Sequence, residues 1–113
     1  MSEENLLDKE LLTGYLDNLG SDLVRQMLEL YVAQSETYLN EIHAALQADS
    51  QELWQERCHK MKGAAGSAGF VQVHAKLVVI EKSGEGQAAK KQHLDDLQAL
   101  NQQTIAAFNA WLD

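Results

Sequence analysis

No proline interrupts this 113-residue chain, so no missing backbone donor or fixed kink breaks a helix anywhere along it. Between glycines and short polar turns, apolar residues recur at alternating spacings of four and three. That is the rhythm of a helix with one buried stripe, and no stretch shows the two-residue alternation of a strand. The first such segment, about 8–19, carries Leu12, Tyr15, Leu16 and Leu19 on one side and stops at Gly20. A long second segment, about 21–48, repeats Val24, Leu28, Tyr31, Ser35, Tyr38, Ile42 and Ala45. Leu23, Met27 and Leu30 widen the apolar face of its first half, and the short first helix is expected to cover them, lying across one end as a cap.

Asp49-Ser50-Gln51-Glu52 has the form of a capping box, with Asp49 as the cap of a third helix over about 50–67. Gly69 is expected to end that helix. Phe70, Val73, Leu77 and Ile80 define a fourth, closed by Ser83-Gly84-Glu85-Gly86, and a fifth over about 88–112 shows Leu94, Leu97, Asn101, Thr104, Phe108 and Trp111. Short connections between such helices predict an all-α fold, an antiparallel four-helix bundle with a short N-terminal cap helix. The length suits one domain over residues 1–113, with 1–6 expected as a loose tail.

Hydrophobic residues make up 45% of the chain and charged residues 23%, the balance of a soluble globular domain. No apolar run approaches membrane-spanning length, and the acidic start MSEENLLDKE does not read as a signal peptide. Cys58 stands alone, which fits a reducing cytoplasm. The formal charge of −8 argues against nucleic acid or an anionic membrane as a partner. Residues 53–82 run against that sum, with Arg57, Lys60, Lys62, Lys76 and Lys82 opposed only by Glu56 and Glu81. A local basic island therefore lies in an acidic protein.

Within the island, HKMKGAAGSAGF (residues 59–70) places three glycines in seven residues, at 63, 66 and 69. Each glycine costs a helix interior about 1 kcal/mol relative to alanine. On a wheel of about 100° per residue, Leu53, Trp54, Cys58, Met61, Ala65 and Ala68 fall within roughly a 140° arc, which is the core face. His59 lies on the opposite side and points to solvent. Gln55 and Lys62 flank it one turn before and after, and Gly63 and Gly66 also fall on this outer face. Glycines there leave bare backbone for the close approach of a second macromolecule, while Gly69 is accounted for as a helix end. His43, His74 and His93 have no comparable surroundings and read as ordinary surface histidines.

The chemistry open to such a histidine is limited. A metal site needs further ligands at suitable spacing, and no His, Cys or carboxylate pairs with His59 in that way, so no metal is expected. Nucleophilic hydrolysis needs an orienting acid, an oxyanion hole and a concave pocket, whereas this ring lies on a convex helix face. Phosphoryl transfer asks for less. Imidazole is largely neutral at cellular pH and nucleophilic, and Lys62 is placed to neutralise a phosphoryl group carried on the ring.

The run from His59 to Gly69 resembles the signature of histidine-containing phosphotransfer (HPt) domains: His, Lys at the third position after it, a small residue at the fourth and often Gly at the tenth. The similarity is nearest to the C-terminal HPt domain of Arc-type bacterial hybrid sensor kinases, and it extends upstream through Tyr15-Leu16 and Gly20. The resemblance implies a cap helix on a four-helix bundle. It implies that His59 accepts a phosphoryl group from a receiver-domain aspartate and passes it to another receiver, with no kinase or phosphatase activity of its own. Lys62 would pair with phosphoryl oxygens, Gly63 would leave the ring accessible, and Gln55, Lys60, Gly66 and Ser67 would contact the partner. Mg²⁺ would be bound by the receiver, and a hybrid sensor histidine kinase, in cis or in trans, completes the expected partners. A glutamine on the following helix often bonds the imidazole in related domains; here that position is Glu81, a departure whose role the resemblance leaves open. A single exposed histidine needs no dimer, so a cytoplasmic monomer is expected.

Two other readings compete. A histidine-kinase dimerisation hairpin resembles a pattern with an acidic residue directly after the histidine, whereas Lys60 follows here and no Gly-rich phosphate loop is present. An inert helical interaction module would leave the outward glycines unexplained.

Overall fold

A computed structural model describes residues 5–113. It comprises α1 (Lys9–Leu19), α2 (Ser21–Gln47), α3 (Gln51–Ser67), α4 (Val71–Glu81) and α5 (Gln87–Leu112), with no strand among the described residues. Helix α2 packs on α3 and α5, α3 on α4, and α4 on α5, which closes a ring of four; α1 lies against α2. The stripes read from the sequence become the core. Trp54, Cys58, Met61 and Ala65 of α3, Val73, Leu77 and Ile80 of α4, and Leu94, Leu97 and Phe108 of α5 are all buried. On α2 the buried stripe passes through Leu39, and Tyr38 is only half-buried.

Three residues of the apolar stripes, Ser35, Asn101 and Thr104, are polar, and each is satisfied; Thr104 Oγ1 donates to the Leu100 carbonyl at 2.8 Å. Tyr31 Oη donates to Asn101 Oδ1 at 2.7 Å, Asn101 Nδ2 donates to Ser35 Oγ at 3.0 Å, and Ser35 donates to the Val32 carbonyl at 3.0 Å. A buried network with every member paired fixes the register of α2 against α5.

The end of the bundle where α3 turns into α4 is covered by α1 and the segment before it. Asp8 N donates to the Gly69 carbonyl at 2.8 Å, Leu7 forms a single β-bridge with Phe70, and Tyr15 Oη donates to the Ser67 carbonyl at 3.0 Å. Leu6 and Leu7 are buried, so the expected loose tail ends before them; residues 1–4 of that expectation lie outside the described residues. The chain enters the fold earlier because both leucines are buried in the same hydrophobic core as Phe70.

Two further expectations are corrected. The cap of α3 is Ser50, whose hydroxyl accepts from Leu53 N at 3.2 Å, and not Asp49. Asp49 is needed one step earlier, at φ 53°, to reverse the chain after α2: Asp49 N bonds the Leu46 carbonyl and Ser50 N the Ala45 carbonyl. The cap helix also does not cover the wider face of α2. Leu23 is 47% and Leu30 59% exposed although α1 lies against α2, so that side of α2 is left open.

Both sharp turns use the left-handed region, Gly69 at φ 74° without penalty and Asp49 at φ 53° with one. Added at Gly69, a Cβ would also meet Leu12 Cδ2 at 3.0 Å. Asp49→Gly is therefore expected to stabilise the fold by about 0.5 kcal/mol, and Gly69→Ala to destabilise it by about 1–2 kcal/mol. Urea denaturation of the two variants against the parent checks the opposite signs.

Candidate functional site

Helix α3 shows why His59 faces outward. Its buried face is set by Trp54, Cys58, Met61 and Ala65, and His59 is rotated by about 100° from Cys58, at the edge of that stripe, onto the far side of the helix. The His59 side chain is 71% exposed.

Opposite His59 stands the last turn of α4, held from both sides. Trp54 Nε1 donates to the Ile80 carbonyl at 2.8 Å, and Gln51 Nε2 donates to the Ser83 carbonyl at 2.9 Å. Lys90 of α5, buried, donates to Gln51 Oε1 and lies 5.4 Å over the Trp54 ring, tying α5 to the same clamp. Glu81 sits between the two anchored carbonyls. Its Oε1 is 3.1 Å from His59 Nδ1, and its Oε2 accepts from Lys62 Nζ at 3.1 Å. The carboxylate is only 12% exposed and Lys62 22%. Burial pushes the Glu81 carboxyl up, but the hydrogen bond and charge of Lys62, and then those of His59, outweigh it and hold the group below the usual carboxylate range. An ionised carboxylate only accepts, so the His59 tautomer that satisfies this contact carries its hydrogen on Nδ1.

The residues singled out from sequence divide among three neighbouring surfaces. Gln55 shares with His59 and Glu81 a shallow depression between α3 and α4, completed by Glu52, Glu56 and Lys82. Gly63 and Ser67 open instead onto a largely apolar groove of about 360 Å³ between α2 and α3, lined by Met27, Leu30, Gln34 and Tyr38 among others. A Cβ on Gly63 would meet nothing within 4 Å, so backbone is bare to solvent there. Gly66 faces a different neighbour. A Cβ on it would lie 3.2 Å from His74 Cδ2, so the outer face that carries this exposed glycine also meets a side chain of α4. Lys60 is exposed and makes no ion pair among the described residues, whereas Lys62 is committed to Glu81.

Sequence reasoning missed the groove. The wide apolar face predicts Met27 and Leu30 beneath the cap helix, and the signal for a groove lies in the small residues Gly63 and Ala64 that line it with them. Among the described residues no group of three or more His, Cys, Asp or Glu side chains gathers around a metal-sized space, and no helix is long and apolar enough to cross a membrane.

The fold is that of a histidine-containing phosphotransfer domain. Such a domain from ArcB of Escherichia coli superposes with a TM-score of 0.84 at 23% identity, over 97% of this chain and 95% of that one. A family model described as the Hpt domain matches residues 26–110, and the chain belongs to that family. The aerobic respiration control sensor protein ArcB of Escherichia coli O157:H7 is 36% identical over 67 residues, which is 59% of this chain and 9% of that protein's length. Membership gives the chain a phosphotransfer role in two-component signalling.

Cys58, next to the exposed histidine, is itself fully buried, and burial, with the Glu81 carboxylate adding to it and Lys90 opposing, pushes its thiol up to about 12. Native protein at neutral pH should leave this thiol unmodified by a disulfide reagent such as DTNB, and unfolding in guanidinium should release one equivalent per chain. Rapid labelling of native protein would show that α3 opens readily around the site.

Proposed function

We propose that His59 is a phosphorelay intermediate that accepts a phosphoryl group from the phosphoaspartate of one receiver domain and passes it to the aspartate of another. The observation that carries this reading is the exposed imidazole held by Glu81 beside Lys62, one turn from a glycine whose surroundings are empty. Lys62 is near enough to exchange its carboxylate partner for phosphoryl oxygens, and a charge-assisted bond of that kind favours the loaded state. Lys60 and Gln55 flank the ring on the same helix and are assigned to the rim of the partner contact. Gly63, Ser67 and the exposed Leu30 adjoin it along the groove, which supports docking of a receiver surface with apolar side chains at its centre. Gly66 contributes by keeping α4, and hence Glu81, close to α3.

In this reading Mg²⁺ belongs to the receiver, whose acidic site would meet the cations of residues 59–82. The chain supplies nucleophile and surface and has no kinase or phosphatase activity of its own. It works as a monomer in the cytoplasm, alongside or as part of a hybrid sensor histidine kinase.

Incubation with a phosphorylated receiver and Mg²⁺ should transfer label to the chain as an acid-labile, alkali-stable phosphoramidate, and His59→Gln should abolish it. Transfer surviving in that variant would overturn the assignment. Gly63→Leu should fold normally, because nothing lies within 4 Å of the added Cβ, yet transfer at least about tenfold more slowly by obstructing the docked partner. Stopped-time transfer assays with matched circular dichroism spectra separate slow chemistry from misfolding.

A further inference from the structure

Resting on the phosphotransfer reading, we infer that Val78 of α4 belongs to the docking surface. A receiver domain then straddles His59, with one apolar contact in the groove between α2 and α3 and a second on α4. The partner that fits is a receiver carrying apolar side chains on both sides of its acidic site.

Helix α4 is apolar where a surface helix is ordinarily polar. Val73, Leu77 and Ile80 form its buried stripe, yet Val71, Ala75, Val78 and Val79 are exposed, Val78 at 38% and Val79 at 70%. Single exposed valines are common, but Val71, Ala75 and Val78 recur at spacings of four and three and line one outer face. The contacts of neighbouring residues orient that face. His74 lies against Gly66 of α3, Glu81 reaches His59, and Lys76 lies 3.8 Å from Asp96 of α5. On a wheel of about 100° per residue, Val78 falls about 40° from His74 and about 60° from Glu81. Val79 falls about 60° from Lys76 and about 140–160° from the two residues that face α3. Val78 is on the α3 side of the helix and Val79 on the α5 side.

Val78 is also at the level of the reacting ring. His59 lies ten residues before Gly69 and Val78 nine after it, so the two stand within about 1.5 Å of one level on adjacent helices. Packed helix axes are about 8–10 Å apart, which puts Val78 about 10 Å from His59. A specific protein contact covers about 800 Å² on each partner, and a transient one about 500 Å², the area of a disc of roughly 13–16 Å radius. A receiver centred on His59 therefore overlies Gly63 on one flank and Val78 on the other. Charge favours the same placement. No Asp or Glu occurs from Arg57 through Ile80 in a chain of net charge −8, so α3 and α4 offer the receiver's acidic site a carboxylate-free surface from the ring to the turn at Gly69. In the other direction the depression beside the ring holds Glu52 and Glu56, which repel such a site.

The test uses a phosphorylated receiver that labels the wild-type chain, and follows the initial rate of transfer against receiver concentration, with circular dichroism as the check on folding. Val78→Asp should raise the concentration for half-maximal transfer by about tenfold, because it sets a carboxylate against an acidic, desolvating partner, and should change the saturated rate far less. Val78→Ser, which removes apolar area without adding charge, should raise it by about threefold. Val79→Asp, the same chemistry on the α5 side, should stay within about twofold of wild type. Equal behaviour of Val78→Asp and Val79→Asp, both silent or both impaired, would overturn the inference, as would a loss at Val78 confined to the saturated rate. Titration of the ¹⁵N-labelled wild type with the same receiver needs no variant. The amide signals of Gly63 and Val78 should shift together, and a shift at Gly63 alone would overturn the inference. Failure of every receiver to label the wild type would count against the phosphotransfer reading and against this inference with it, whereas labelled wild type with a silent Val78→Asp would leave that reading standing.

Discussion

The relation between α3 and α4 depends on one reversal of the chain, at Gly69-Phe70. Gly69 takes the left-handed conformation at φ 74°, and Phe70 N bonds the Ala65 carbonyl at 2.9 Å, closing α3. Phe70 then turns inward, with its ring 4.2 Å from that of Tyr31 and 6.1 Å from that of Phe108, so one side chain joins the turn to α2 and α5. His59 lies ten residues before Gly69 and Glu81 twelve after it, and at about 1.5 Å of rise per residue the two legs are nearly equal in length. That equality brings the imidazole and the carboxylate to the same level. An inserted residue in α4 would rotate Glu81 by about 100° and remove it from the ring. The site is thus a consequence of a turn about 15 Å away.

The stripes that form the core were legible because burial imposes a period, and a period survives in one dimension. Phe70, Val73, Leu77 and Ile80, and likewise Leu94, Leu97 and Phe108, are buried as their spacing predicts. The outward direction of His59 follows from the same arithmetic, since Cys58 and Met61 fix the inner face. Contacts between distant residues leave no such trace. The 22-residue separation of His59 and Glu81 has meaning only once the turn between them is known, and the packing of His74 against Gly66 is invisible from the glycine alone. Apolarity also does not state what covers it. Met27 and Leu30 read as interior residues because a wide apolar face is equally compatible with a hidden partner helix and an open groove.

Local chemistry was misread by one residue at the start of α3 for a related reason. Asp49 and Ser50 both favour a helix cap, and sequence preference does not rank them. The connection from α2 to α3 is so short that one must serve the reversal and the other the cap. The residue that comes first takes the left-handed position, and the hydroxyl one step later reaches Leu53 N at 3.2 Å.

Charge has a different bearing on the site than composition suggests. Residues 53–82 are basic on balance, but Lys62 is held by Glu81, Arg57 by Glu56 and Lys76 lies 3.8 Å from Asp96, so much of that charge is internally matched. The pairs at Glu56 and Asp96, whose carboxylates are half exposed, contribute only about 0–1 kcal/mol each, too little to organise the surface by themselves. The groove beside Gly63 is apolar, and its shape comes from the bundle core beneath it. A partner reading this surface would therefore be oriented mainly by the groove. The ion pair at Glu81 would then act on the imidazole rather than on the encounter. Two glycines weaken α3 by about 1 kcal/mol each for different ends, Gly66 to seat His74 and Gly63 to leave the groove open. The helix tolerates both because Trp54, Cys58, Met61 and Ala65 hold its inner face in the core, so that access on one side is compatible with rigidity on the other.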